Sequence, residues 1–142
     1  LRDVEKHGIP TVVIPAGGKF DMRSRKYLAN LLEEKRIDIL HTHDHRSDLI
    51  GYLAVRRRPT LLVNTFHQPL RRYWWLRHIE IIDEHLVRRF DRVLPVAEAI
   101  RGEMLAKRPQ DADRVITVLN GVDLSLFQDN ADDARRRIRS QL

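Results

Sequence analysis

Short apolar runs alternate along the chain with longer stretches whose apolar residues recur every three or four positions. The short runs are Thr11-Val-Val-Ile-Pro15, Asp38-Ile-Leu40 continuing through His43, Leu61 to Phe66, Arg92-Val-Leu-Pro-Val96 and Val115 to Leu119. Each is too short for a stable helix and rich in branched side chains, so each predicts a strand. Between them, Arg23 to Lys35 sets Tyr27, Leu28, Leu31 and Leu32 on one helical face. A second helix is predicted from Ser47, whose hydroxyl can cap it, to about Val55, with Pro59 closing the segment. A longer one spans Leu70 to Arg89, where Trp75, Ile79, Ile82, Leu86 and Phe90 form a single stripe. Ala99 to Lys107 turns Ile100 and Met104 inward, and Asp132 to Gln141 opens another helix. At the start, Leu1 to His7 reads as a helix end, with Gly8 at the left-handed stop.

Strand and helix therefore alternate, and the connections are long enough for crossover helices. An open parallel α/β sheet follows. Because the strands are apolar on both faces, helices are expected on both sides of that sheet. Asn120-Gly121 predicts a turn after the last strand, and Gln128-Asp-Asn-Ala-Asp-Asp133 reads as a polar linker.

Composition narrows the class. The 142 residues fit one domain with a real core, and 42% hydrophobic against 32% charged residues is a folding composition. With no cysteine, a disulfide scaffold, a thiol nucleophile and a Cys-ligated metal are excluded. That also suits a reducing compartment. Apolar runs of about five residues fall far short of the ~20 that span a bilayer.

Ligands of open parallel sheets gather at the carboxyl ends of the strands. Here those ends carry Gly17-Gly18, then His41-Thr42-His43-Asp44-His45, then Asn64-Thr65-Phe66-His67. Consecutive parallel strands end on one edge, so His43 and His67 are expected to share a crevice. Imidazole and carboxylate there can act as base, hydrogen-bond partner or metal ligand. The string His41-x-His43-Asp44-His45 also resembles the His-x-His-x-Asp-His signature of metallo-β-lactamase-fold hydrolases, one residue short. A zinc hydrolase using His41, His43 and His45 is therefore an alternative. Gly17-Gly18 lacks the spacing of a phosphate-binding loop and reads as a plain turn.

Charge is uneven. The net +6 is concentrated in residues 56–92, which hold nine arginines against four acids. Arg71 and Arg72, with Tyr73, Trp74 and Trp75 beside them, could meet an anionic surface or a phosphorylated substrate. A basic nucleic-acid-binding module is the remaining alternative, although one basic helix beside a histidine-lined edge favours a small-molecule cleft.

The strand-end residues, taken in order, resemble a known family. They are Ile37-Asp38 through His41-Thr42-His43, Asp48-Leu-Ile-Gly51, Thr65-Phe-His67, Phe90-Asp91 through Val96, and Asn120-Gly-Val-Asp123 followed by Phe127. Together they resemble the N-terminal domain of family-4-type retaining glycosyltransferases of GT-B fold. The resemblance implies a Rossmann-like parallel sheet with flanking helices, the N-terminal half of a GT-B fold lacking its first strands. Residues 1–127 would be a partial acceptor-side domain, and 128–142 a linker and the start of a C-terminal donor domain. The implied reaction moves a sugar from a nucleotide-sugar donor to an acceptor hydroxyl (glycan, lipid or small molecule) with retention.

In that resemblance His67 faces the donor sugar and reaction centre. His43 and Asp44 line the acceptor side, joined by Arg71 and Arg72. Asn120 and Gly121 form the interdomain connection. No metal or other cofactor is implied beyond the nucleotide-sugar co-substrate, and no nucleic-acid partner. The expected location is the cytoplasm, with peripheral membrane contact as an option. The family's glycine-rich donor loop and its paired glutamates find no match here, so the chain by itself is expected to be inactive. Ala97 stands where the family often has a capping serine.

Overall fold

The computed structural model describes residues 2–14, 22–56, 58–67, 85–124, 135–136 and 138–141. A short helix α1, Arg2–Lys6, ends at Gly8, whose φ of 74° is the left-handed stop the sequence predicts. Residues 11–14 form no strand. Val12 and Val13 are exposed, and this branched run finds no sheet partner among the described residues. A strand exists only through its neighbours, so propensity alone does not make one.

Helix α2, Met22–Glu34, buries Leu32 and packs Leu28 and Ala29 against the core. It closes in a Schellman arrangement: Ile37 N donates to Leu32 O and Arg36 N to Glu33 O. Arg36 occupies the left-handed position at φ 50°, where glycine is usual.

Strand β1, Ile39–Thr42, helix α3, His45–Val55, strand β2, Leu61–Phe66, strand β3, Arg92–Pro95, and helix α4, Glu98–Lys107, follow in order. The three strands form a parallel sheet in the order β1-β2-β3, with Thr42 opposite Asn64 and Asn64 opposite Val93. A fourth extended segment lies beyond β3. Val115 bridges Val93 in parallel, and Ile116 N donates to Val93 O and Val118 N to Pro95 O. The predicted fifth run therefore does join the sheet. Past it, residues 119–123 continue without the turn expected at Asn120-Gly121, and the φ of Gly121 is not positive.

One face of the sheet is closed. Leu62, Phe66, Val93 and Val115 form its core with Leu32, Val55, Leu86 and Phe90, and α4 adds Ile100 and Met104. Gly51 of α3 sits so close to this face that an added Cβ would meet Thr42 Cγ2 at 3.0 Å. On the opposite face Ile39, Leu61, Ile116 and Val118 are each about half exposed. Helices on both sides, as the strand composition predicts, are not present among the described residues. The cause is topological. Strand order follows chain order, and right-handed connections that step in one direction across a sheet carry their helices to one face, as the described α3 and α4 are carried here.

Candidate functional site

The carboxyl edge of β1 and β2 is built by a turn that spends its polar groups on itself. Asp44 is the N-cap of α3. One carboxylate oxygen, Oδ1, accepts from Arg46 N and Ser47 N at 2.9 Å each. Ser47 closes the box: its hydroxyl accepts from Asp44 N at 3.1 Å and donates to Asp44 O at 2.9 Å. Ser47, expected as the cap, is thus the third helical residue, N3, and His45 the first. A carboxylate at the cap serves two amide donors at once and faces the positive end of the helix, which a lone hydroxyl cannot match. The second oxygen of Asp44 remains at an exposed position.

Beneath this turn lies a polar cluster that the sequence reading passed over. Thr42, Asp48 and Asn64 are all buried. Asn64 Nδ2 donates to both Asp48 oxygens, at 2.9 and 3.0 Å, and the Thr42 hydroxyl donates to Asp48 Oδ1. The carboxylate ties the first turn of α3 to the last pair of β1 and β2, the step from which His43 leaves the sheet. Asn64 Oδ1 is buried with no partner among the described residues. A signal was there to find: Asp48, Gly51 and Val55 share the buried stripe of α3, and a carboxylate on a buried stripe needs donors facing it.

The histidines occupy different positions on this edge. His41, on β1, places Nε2 2.8 Å from Thr65 Oγ1. Its ring stacks on His43, centroids 4.5 Å apart, because alternate strand residues point the same way. Partial burial, and secondarily the charge of His43, lower the His41 pKa, so the ring favours its neutral form. His43 and His67 are exposed, each one residue beyond the end of its strand. The backbone of Phe66 is pinned by Val96 N at 3.3 Å, and the His67 side chain has no hydrogen bond among the described residues. His45 starts α3 and is engaged elsewhere. No group of three His, Asp or Glu among the described residues is arranged to hold a metal ion. The zinc alternative therefore gains no support from this geometry.

The remaining sequence candidates are spread out. Asn120 and Gly121 are exposed on the extended segment beyond the fourth sheet position. Arg71, Arg72 and the aromatic residues beside them lie outside the described residues, as do Gly17-Gly18, Phe127 and the predicted linker. Ala97 caps α4 with no side-chain hydrogen bond, as its apolar side chain requires. No helix among the described residues is long and apolar enough to cross a membrane.

Comparison with known proteins agrees with this architecture. Residues 2–126 match the family model of Glycosyltransferase Family 4. A glycosyltransferase from Rickettsia africae ESF-5 superposes with a TM-score of 0.69 at 16% identity, over 99% of this chain and 38% of that one. The Anabaena protein HepE, solved in complex with UDP and glucose, gives 0.74 at 18% identity, over 99% of this chain and 39% of its own. At such identities the likeness is one of fold, the Rossmann-like half of a GT-B glycosyltransferase. The chain spans less than half the length of these proteins. No curated protein matches it.

Proposed function

Glycosyltransferase family 4 is the family this chain belongs to, and on that premise we propose that it supplies the acceptor side of an enzyme moving a sugar from a nucleotide-sugar donor to an acceptor hydroxyl. The observation that carries the proposal is the edge of β1 and β2. Two exposed imidazoles, His43 and His67, leave adjacent parallel strands at the same end. The buried Asp48 carboxylate, bonded by Thr42 and Asn64, ties that end of the strands to α3. Such an edge can orient a polyhydroxylated substrate through hydrogen bonds.

The roles are those the family resemblance implies for these positions. His67 hydrogen-bonds at the donor sugar beside the anomeric carbon. His43 and the free oxygen of Asp44 receive acceptor hydroxyls, and Arg71 and Arg72 extend that side. Asn120 and Gly121 lead to the donor-binding domain. As the acceptor oxygen bonds to the anomeric carbon, the bond from that carbon to the diphosphate breaks, and the acceptor proton passes to the departing diphosphate. The anomeric configuration is retained. HepE binds UDP and glucose, which supports a uridine diphosphate sugar as the first donor to try. Transfer then depends on orientation and on stabilising the leaving diphosphate, not on a base within this chain.

The test is a His67→Ala variant of the full-length parent assayed with UDP-glucose and an acceptor series. Losing a donor that acts in the transition state should lower kcat by about 10²-fold with little change in donor KM. The anomeric configuration of the product, read by NMR, reports retention. Unchanged kcat in the variant, or an inverted product, would overturn the assignment.

A further inference from the structure

On the helix-covered face of the sheet, a cavity of about 200 Å³ opens between residues 85–90, helix α4 and the loop leading to Val115. Its floor is apolar: Phe66, Val87, Ile100, Met104 and Val115. Its rim carries four cations, Arg88, Lys107, Arg108 and Arg114, against the two acids Glu103 and Asp111. Most of that charge is already committed. Arg108 and Arg114 both bind Asp111, at 2.8 and 2.9 Å. Arg114 also donates to Val87 O and Phe90 O at 3.1 Å each. Glu103 and Lys107 are engaged as well.

Arg88 is different. Its Nε–H is buried and meets no acceptor among the described residues. A guanidinium donor withdrawn from water without an acceptor is costly, and the demand is met most fully by an anionic oxygen. We propose that this cavity is a binding site for a small amphiphilic anion, a carboxylate or phosphate monoester on an apolar body, with Arg88 as its anchor. Size sets the body. An apolar cavity of ~150 Å³ accepts benzene, so this one takes a single substituted ring or an alkyl group of similar bulk. The excess of rim cations favours a monoanion or dianion over a neutral ligand. The cavity lining shares no residue with the proposed strand-end site, and the proposal does not depend on the transfer reaction.

The experiment is calorimetric titration of the full chain with 4-ethylbenzoate, phenyl phosphate, ethylbenzene and inorganic phosphate. The first two separate carboxylate from phosphate. The last two supply the apolar body and the charge alone. At least one amphiphilic anion should bind, with each half at least tenfold weaker. Arg88→Met keeps the apolar stem, removes the unpaired donor and should abolish the preference for the anion. Because that change discards a buried unmet donor, the melting temperature of the free protein should hold or rise. Met104→Trp, which fills the cavity, should block binding of every probe while the protein still melts cooperatively. The proposal is overturned if no amphiphilic anion binds at millimolar concentration, if Arg88→Met binds as tightly as the parent, or if inorganic phosphate binds as well as phenyl phosphate.

Discussion

Replacing Asp111 by asparagine removes the charge that ties Arg108 and Arg114 together within the loop at residues 108–114, and so the group that holds Arg114 where it reaches Val87 O and Phe90 O. The carboxylate receives Arg108 Nε at 2.8 Å, Arg114 Nε at 3.1 Å and Arg114 Nη2 at 2.9 Å. The Arg114 hydrogen bonds are the chief cause, and those of Arg108 a further one, that lower the Asp111 pKa to about 2 from an ordinary 3.8, against a partly opposing desolvation. The side chain is only 14% exposed, so solvent screening is limited. A depression of nearly two units corresponds to about 2 kcal/mol favouring the folded, ionised state. Because the folded pKa lies below the unfolded one, this contribution is complete above about pH 4. It fades as pH falls towards about 2. Asn offers one acceptor where two guanidinium groups need a carboxylate, and its amide group faces their donors. We expect Asp111→Asn to cost about 2 kcal/mol at pH 7, or about 4–8 °C in Tm for a chain of this size. Urea melts followed by circular dichroism at pH 7, 4, 3 and 2.5 measure it. The gap between parent and variant should hold to about pH 4 and then narrow. A loss below about 0.5 kcal/mol at pH 7, or a gap unchanged to the lowest pH, would refute the ion-pair account of this loop.

Other consequences are simpler. Gly51→Ala brings a Cβ to 3.0 Å from Thr42 Cγ2 and 3.2 Å from Leu40 Cδ2; overpacking should outweigh the better helix propensity and cost about 1–2 kcal/mol in a thermal melt, and a stabilised variant would contradict the close packing of α3. Arg36→Gly relieves the left-handed φ of 50° and should raise stability by about 0.5–1 kcal/mol; a fall in Tm would mean that the arginine side chain contributes more than its backbone costs. In an NMR titration His41 should have its midpoint below 6.5, and His43→Ala should raise it only in part, since burial is the larger cause and the charge of His43 the smaller. Full recovery of the ordinary midpoint would reverse that order.

Much of the fold was legible one segment at a time. The run Leu61–Phe66 is a strand at its predicted bounds, Leu86 and Phe90 are buried as their stripe requires, and Gly8 is the left-handed stop. Ala97 leaves α4 without a side-chain cap, which follows from its lack of a polar atom. These features depend on residues a few positions apart, so periodicity and side-chain chemistry suffice to show them. The placement of His43 and His67 on one edge needed only parallel pairing of consecutive strands.

The tertiary structure decided the rest. Val12 and Val13 have strand propensity but no described strand to pair with. Asp44 and Ser47 are both good capping residues, and the choice between them rests on where β1 releases the chain. Asp48 belongs to the buried stripe of α3 only because Thr42 and Asn64 arrive from two different strands to bond it. The described helices α3 and α4 occupy one face because their connections step the same way across the sheet, a property of strand order that no single segment contains. Local conformation is set by neighbours in the chain, which sequence displays. Burial and pairing are set by neighbours in space, which exist only once the chain has folded.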